Sequence, residues 1–475
     1  MSSLVDAIRT LSNSGKNGIM QAQDVEALQK SLTAGSGSRW DATGGRVLQV
    51  EDVEGTVQAC LTMSEQDMKL TNKLHEQKVK STVHQYARKL DIGDNERRTS
   101  FAGELDEARD DVSRYDNATK PMKFMMTRRE CSMQLGVVDT ISNPENEEKI
   151  SGAMQLLVDT ESCNFHGNSE AIPEEYDSAE RQILLESAKV GRNTCIDLRG
   201  DTLENKGTWA LEEAAQIVAE AGGTLTHAFM PFAAARPLQN AIKDKLFITP
   251  EQQQKNVPIL SYPTLYGDIQ IAGNDAGACK FYRPKGIIKP TSYEKSPNAP
   301  TFTAKAVPVA SGETSKFTGT DAGIYYYTVH AVSKDGISEA ATSIAVTVAS
   351  GEKVELTITP AVKNSGTGFI ICRSKKDAAD GSDCREMTRI GKSLQDTTVF
   401  HDLNEDLPGT GSMLLLSMKQ MLKPAIRWDS LMNTIKVNMF QTNKLANAFI
   451  MAKFGSLDVT CPWYHSVVKN IDMGW

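Results

Sequence analysis

The stretch SNPENEEKISGAMQLLVDTESCNFHG, residues 142–167, carries the clearest helix signal of the whole chain. Ser142 or Asn143 can cap this helix, and Pro144 suits its first position. Acidic residues fill the first turn, where the helix dipole favours anions. About 23 residues at 1.5 Å each give a strut of roughly 35 Å. The apolar face expected to pack against the rest of the protein consists of Ile150, Met154, Leu157 and Phe165.

Upstream of this helix, residues 76–120 are unusually rich in charge. Ten of these 45 residues are acidic and nine are basic, whereas 24% of the whole chain is charged. Alternation at Val83, Gln85 and Ala87 indicates a two-stranded ribbon, which can bury little of its own surface. We expect either a solvated excursion or an arm that contacts another chain, with an exposed loop of no role as the alternative. The residues expected to contact another chain are Arg88, Lys89, Arg97, Arg98, Asp110 and Asp111.

Downstream of the helix, helical and strand-like patterns alternate. A short amphipathic helix is predicted over 180–188, and a second helix over 208–223 with Thr208 as its cap. A strand is expected to end at Pro231, and another helix to start near Ala233. The alternation predicts an α+β domain rather than a repeat.

Between residues 296 and 410 the helical period disappears. Apolar alternation there predicts seven strands, at 301–307, 323–332, 343–349, 353–359, 368–374, 387–393 and 397–403. Their number and spacing favour an immunoglobulin-like or fibronectin-like sandwich. The sandwich is expected to be an insertion, because a helical signal returns at 412–424. A helix or strand and then a closing strand are expected over 443–471.

Length and charge exclude several classes of protein. The chain has 475 residues, a formal net charge of −8 and a pI near 5.6, so more than one compact unit is expected. An acidic balance is unfavourable for a dedicated nucleic-acid binder. No stretch reaches the roughly 18 apolar residues that span a bilayer, and the N-terminus lacks the pattern of a secretion leader. The cytoplasm is therefore the expected compartment.

The residue patterns that mark a catalytic or cofactor site are absent from the sequence. It has no P-loop, no G-x-S-x-G elbow, no H-E-x-x-H pair and no nucleotide-binding G-x-G-x-x-G. The eight cysteines are scattered without a C-x-x-C pair, as reduced thiols are. Cys163 and His166 share a helical face but are two ligands short of a zinc site. We therefore expect no catalytic residue, no cofactor and no metal.

Five stretches, taken in their order along the chain, carry a resemblance to a known family. They are RRECSMQLGVVDTISNPENEEKISGAMQLLVDTESCNFHGNSE (128–170), a helix and strand at 198–242, the sandwich start at 296–342, its exit at 400–410, and NKLANAFIMAKFGSL (443–457). This order resembles the major capsid proteins of tailed bacteriophages with the Hong Kong 97 type fold. It is most similar to those of large contractile-tailed phages that infect Gram-positive hosts. The resemblance covers about residues 65–475.

The resemblance implies an α+β capsid fold with an inserted all-β immunoglobulin-like sandwich. Its expected parts are an N-terminal arm (1–75), an extended loop (76–120), a peripheral domain with the spine helix (121–175), an axial domain (176–295), the insertion (296–410), and an axial return with a C-terminal peripheral strand (411–475). In this family the extended loop lies over a neighbouring subunit.

The resemblance also implies a function and partners. The chain would assemble as hexamers and pentamers into an icosahedral shell that encloses double-stranded DNA without sequence-specific binding. Portal, scaffold, prohead protease and decoration proteins would be its partners, and the virion, assembled in the host cytoplasm, its location. Two alternatives stay open: a surface or tail-associated protein that binds a receptor or carbohydrate through the sandwich, and an enzyme with an accessory sandwich.

Overall fold

The computed structural model of the chain describes residues 63–93, 101, 103–104, 107, 112–136, 142–243, 259–291, 293–418, 424–439 and 444–474. Most of the predicted arm at 1–75 lies outside the described residues, and so do Arg97, Arg98, Asp110 and Asp111. The described helices are α1 Pro144–His166, α2 Ala179–Val190, α3 Leu203–Glu220 and α4 Phe232–Lys243. None of these helices is long and apolar enough to cross a membrane.

Four strands precede the first helix, the four helices lie between residues 144 and 243, and strands dominate the second half of the chain. They are β1 His75–Lys78, β2 Val83–Asp91, β3 Arg114–Pro121, β4 Lys123–Ser132, β5 Cys195–Asp197, β6 His227–Pro231, β7 Ser261–Thr264, β8 Gly267–Gln270, β9 Gly277–Cys279, β10 Thr301–Pro308, β11 Gly323–Ser333, β12 Gly336–Ile337, β13 Ile344–Val348, β14 Glu352–Thr359, β15 Gly368–Arg373, β16 Arg385–Gly391, β17 Thr398–Asp402, β18 Gly411–Leu416, β19 Ile426–Met439, β20 Ala446–Val459 and β21 Ser466–Ile471. The predicted α+β class is confirmed.

A four-stranded sheet with the order β1-β19-β20-β4 carries α1 on one side. Strand β1 runs parallel to β19, whereas the other two pairs are antiparallel. The helix can approach β20 closely because residue 152 is glycine: a Cβ at Gly152 would lie 2.8 Å from Met451 Sδ. Leu156 of α1, Phe449 and Met451 form a small buried core in this contact.

A seven-stranded sheet with the order β5-β21-β18-β6-β8-β7 lies at the centre of the larger core, and β9 also pairs with β6. Strand β18 is buried on both faces. Met413 and Leu415 face the cluster that contains residues of α3 and α4. Leu414 and Leu416 face a second cluster, which contains Phe165 of α1. The sheet therefore separates two hydrophobic cores.

Two elements differ from the sequence-based prediction in type or in start. The helix predicted at 412–424 is wrong over its first part, since Gly411–Leu416 forms strand β18. A strand buried on both faces has an unbroken apolar run, which periodicity cannot distinguish from a buried helix. The helix predicted to begin at Thr208 begins earlier, at Leu203, because the extended backbone of Thr202 precedes its first turn. Thr208 is a buried residue inside this helix and not its cap.

The C-terminal strands β18 to β21 belong to two different sheets. The last strand, β21, pairs with β18 and β5 in the seven-stranded sheet. The long hairpin of β19 and β20 instead forms the sheet that α1 covers. Strand β21 is buried along almost its whole length, as a strand inside a covered sheet must be.

Residues between β9 and β18 form a two-sheet sandwich. Its sheets have the orders β10-β14-β17 and β12-β11-β15-β16, with β13 also pairing with β11. The seven predicted strands are present, and the two-residue β12 is added to them. Tyr327, Leu356 and Phe369 from both sheets share one core. Because β9 and β18 both pair with β6, the sandwich is inserted between two strands of one sheet. Its likeness to an immunoglobulin domain stays a prediction.

The sandwich is fixed to the rest of the chain at two places. At one, Thr367 Oγ1 donates to the Ala171 carbonyl at 2.7 Å, and Ile172 packs against the outer side of β15. At the other, Arg199 Nη1 donates to the Asn404 carbonyl at 2.6 Å. The insertion is therefore packed along the main body rather than attached only by its two linkers.

The contact at β15 requires a glycine, which gives a first testable prediction. A Cβ at Gly368 would lie 2.6 Å from Ala171 Cα and 2.7 Å from the Ala171 carbonyl oxygen, both backbone atoms that cannot rotate away. We expect Gly368→Ala to lower the free energy of unfolding by about 1–3 kcal/mol through overpacking. Gly319→Ala, where a Cβ meets nothing within 4 Å, is the control. Equal thermal midpoints for the two variants would contradict the tight contact.

Candidate functional site

The two-stranded ribbon predicted within 76–120 is present as the antiparallel pair β2–β3. Its two faces differ in character. Val83, Gln85 and Ala87 lie on the exposed face of β2. His84, Tyr86 and Arg88 lie on the other face, which packs against the chain's own body. The alternation that predicted the ribbon is real, but it marks the exposed side.

Arg88 shows how the ribbon is attached. Its guanidinium is only 8% exposed and donates to Glu186 of α2 at 2.8 Å and to Asp116 of β3 at 2.5 Å. Burial alone would raise the pKa of Glu186, but hydrogen bonds from Lys189 and Arg88 lower it to about 2. The charge of Arg88 is therefore paired within its own subunit, and a contact of Arg88 with another chain stays a prediction. Sequence alone could not reveal that α2 lies beneath the ribbon.

Lys89 is the other predicted contact residue among the described ones. It lies on the exposed face of the ribbon, with Nζ 5.8 Å from the ring centroid of Tyr115 on β3. Tyr115 is itself 65% exposed. Lys89 and Tyr115 thus remain accessible to another molecule, and a role of Lys89 in an intermolecular contact stays a prediction.

Part of the four-stranded sheet is apolar on the side that α1 does not cover. Side chains directly opposite each other on paired strands share a face, so β4, β20 and β19 together build one surface. Phe124 pairs with Phe454, and their rings meet edge to face at 4.8 Å. We call this surface the outer sheet face; its exposed large apolar residues are Phe124, Met126, Ile435, Val437 and Met439.

The predicted packing face of α1 is correct only in part. Phe165 is buried, and Met154 and Leu157 are partly buried against the same cluster. Ile150 is 60% exposed, so its assignment to the packing face is wrong. The side of the helix that meets the sheet instead carries Gly152, Leu156 and Thr160. Because this contact includes small and polar residues, the pattern of hydrophobic residues along the helix does not identify the face that packs against the sheet.

Residues 63–74, the described end of the predicted arm, are fixed to the body. Met68 and Leu70 are fully buried in the cluster that contains Phe165. Glu161 of α1, also fully buried, accepts the backbone N–H groups of Leu70 and Thr71 at 2.9 and 2.8 Å. Its carboxylate thereby satisfies donors that would otherwise be buried without partners. Sequence patterns gave no sign of this contact.

Cys163 and His166 are each engaged by the chain's own backbone. Burial raises the pKa of the Cys163 thiol to about 12, and its Sγ contacts the Tyr176 carbonyl. Burial lowers the pKa of His166 to about 4, and Nε2 accepts the Arg283 backbone N–H at 3.0 Å. Within the described ranges, no group of three or more His, Cys, Asp or Glu side chains could hold a metal ion.

A cavity of about 970 Å³ lies where the sandwich meets the end of α1 and the start of α2. Two carboxylates in its lining accept hydrogen bonds from neighbouring side chains. Arg389 Nε donates to Glu386 at 2.6 Å, and Tyr282 Oη donates to Glu180 at 2.8 Å. Burial raises the pKa of Glu180. The lining is therefore typical of a polar contact between the sandwich and the region of α1 and α2, and not of a ligand pocket with unpaired polar groups.

No protein-family model matches the sequence, and no curated protein matches it. The chain is similar to the capsid of a native GTA particle, at 9% identity and a TM-score of 0.44, with 92% of this chain and 99% of that chain covered. A structure of Mycobacterium phage Adephagia matches at 8% identity and a TM-score of 0.44, with 91% and 98% covered. The holo-SrpI encapsulin complex from Synechococcus elongatus matches at 8% identity and a TM-score of 0.38, with 92% and 98% covered.

Proposed function

We propose that the chain is a major capsid protein, which assembles as pentamers and hexamers into an icosahedral shell around the double-stranded DNA of a tailed phage. The observation that carries the proposal is the outer sheet face. Five large apolar side chains lie exposed on one side of the four-stranded sheet, and contiguous apolar surface of this kind marks an interaction site. The proposal assigns this surface to contacts between copies of the chain.

The ribbon supports the same function. Its inner face is held by the chain's own Glu186 and Asp458, whereas its outer face carries Lys89 and Tyr115 in exposed positions. A ribbon held at one face and free at the other is suited to reach a neighbouring copy. Contacts between unlike surfaces that close by rotation build rings, and rings can tile a shell.

The units of the fold receive roles within this proposal. The ribbon β2–β3 is the extended loop, α1 with the four-stranded sheet is the peripheral domain, and the seven-stranded sheet with α3 and α4 is the axial domain. The sandwich is the immunoglobulin-like insertion. The net charge of −8 suits a shell that surrounds DNA without gripping it, since like charges repel. Portal, scaffold, prohead protease and decoration proteins are the proposed partners, and no catalytic role is assigned.

The proposal is tested by measuring the mass of the purified particle. The full chain is expressed alone and with the scaffold of its phage, and analysed by sedimentation velocity and negative-stain microscopy. We expect closed shells or tubes of hundreds of copies. A monomer or a small oligomer in both preparations would contradict the proposal, and a trimer would favour a receptor-binding or tail-associated protein instead.

A further inference from the structure

The inner face of the ribbon contacts the buried carboxylate of Asp458. Tyr86 Oη of β2 donates to Asp458 Oδ1 at 2.9 Å, and Arg427 Nη2 of β19 donates to Asp458 Oδ2 at 2.9 Å. The Arg427 guanidinium also lies 5.1 Å from the centroid of the Tyr86 ring. Asp458 of β20 therefore accepts one hydrogen bond from the ribbon and one from the neighbouring strand β19.

Asp429 makes this site unusual. It is fully buried beside Asp458, and its Oδ1 lies 2.9 Å from Arg427 Nε. Neither of its side-chain oxygens has a hydrogen bond of acceptable geometry. Two buried carboxylates therefore share one guanidinium. A buried charge without adequate pairing is costly, and the cost falls when the group takes up a proton.

We propose that Asp429 and Asp458 form a proton-binding catch for the ribbon: uptake of one proton by this pair tightens the attachment of β2 to the four-stranded sheet. When Asp429 is neutral, Arg427 forms an ion pair with Asp458 alone. The negative charge of Asp429 then no longer competes with Asp458 for Arg427, so the contact among Tyr86, Asp458 and Arg427 becomes stronger. The catch belongs to a single subunit, so it does not rest on the proposed function.

The surroundings of Asp429 fix the direction of the effect. Burial, and next the charge of Asp458, raise the pKa of Asp429 from 3.8 to about 6. The attached state then binds a proton more tightly than a detached, solvated state does, so attachment strengthens as pH falls through about 6. On β1, the register partner of Asp429 is the neutral Gln77.

Two histidines near the site have to be considered. His75 of β1 stands opposite Arg427 in the register and is exposed. On β2, Arg427 Nη2 lies 3.2 Å from His84 Nε2, so the ring must accept the hydrogen bond at that nitrogen. A proton on His84 Nε2 would oppose Arg427 and loosen the ribbon. The variant His84→Gln therefore separates the contribution of this ring from that of the carboxylate pair.

The test is amide hydrogen exchange on the unassembled full chain between pH 7.5 and 5, corrected for the intrinsic pH dependence of exchange. Protection of the ribbon amides relative to those of β10–β14 is expected to rise about tenfold on acidification. Asp429→Asn should show the high protection at both pH values. Asp268→Asn, on the exposed β8, is the control and should behave as the wild type.

Unchanged or falling ribbon protection of the wild type on acidification would overturn the proposal. This comparison needs no variant, so it decides even if Asp429→Asn fails to fold. A fall that disappears in His84→Gln would assign the pH response to the histidine instead. A tenfold rise that persists in Asp429→Asn would also overturn it, because the proton would then bind elsewhere.

Discussion

Replacing Val437 by aspartate is expected to abolish assembly and to leave the subunit folded. Val437 lies on the outer sheet face, between Ile435 and Met439 on β19, and is 49% exposed in the single chain. If a neighbouring copy covers this face, the new carboxylate is buried without a partner, which costs several kcal/mol per contact. The assembled fraction should then fall at least about a hundredfold, while the subunit keeps its thermal midpoint.

Val362→Asp is the matched control for this prediction. It makes the same chemical change at a fully exposed valine in the loop between β14 and β15 of the sandwich. We expect Val362→Asp to assemble as the wild type does. Normal shells from Val437→Asp, counted by microscopy under the same conditions, would show that the outer sheet face is not covered by a copy of the chain.

The second large effect is expected inside the subunit, at α1. Leu156→Ala should lower the free energy of unfolding by about 2–5 kcal/mol, because Leu156 fills the contact with Phe449 and Met451 and the truncation leaves a cavity there. Ile150→Ala on the exposed side of the same helix should change it by less than about 0.5 kcal/mol. Urea unfolding followed by circular dichroism compares the two. If Ile150→Ala lowered the free energy of unfolding more than Leu156→Ala does, the packing face predicted from the sequence would be correct and the face described here would be wrong.

The bounds of α1 were predictable because local chemistry sets them. Pro144 at the first position and Gly167 after the last residue act within one turn of the chain. The seven strands of the sandwich were predictable for a similar reason, since alternation and turn residues are local signals. Strand β18 was not, because a strand buried between two cores has lost the alternation that identifies strands.

The candidate surfaces were harder to predict than the elements that carry them. Arg88 was expected to meet another chain, but the fold brings Glu186 of α2 beneath it. The outer sheet face joins β4 to the distant hairpin of β19 and β20, and no local pattern shows that Phe124 and Val437 share a surface. Asp429 and Asp458 also meet only through strand pairing. Sites of this kind depend on the tertiary fold and not on residue spacing.

The most direct measurement of the proposed function is a cryo-electron microscopy reconstruction of particles assembled from the full chain. We expect a closed icosahedral shell of pentamers and hexamers, in which a neighbouring copy covers the outer sheet face and the exposed side of the ribbon at Lys89 and Tyr115 contacts another subunit. Particles in which both surfaces remain open to solvent, or a preparation that yields only monomers and small oligomers in the presence of scaffold, would contradict it.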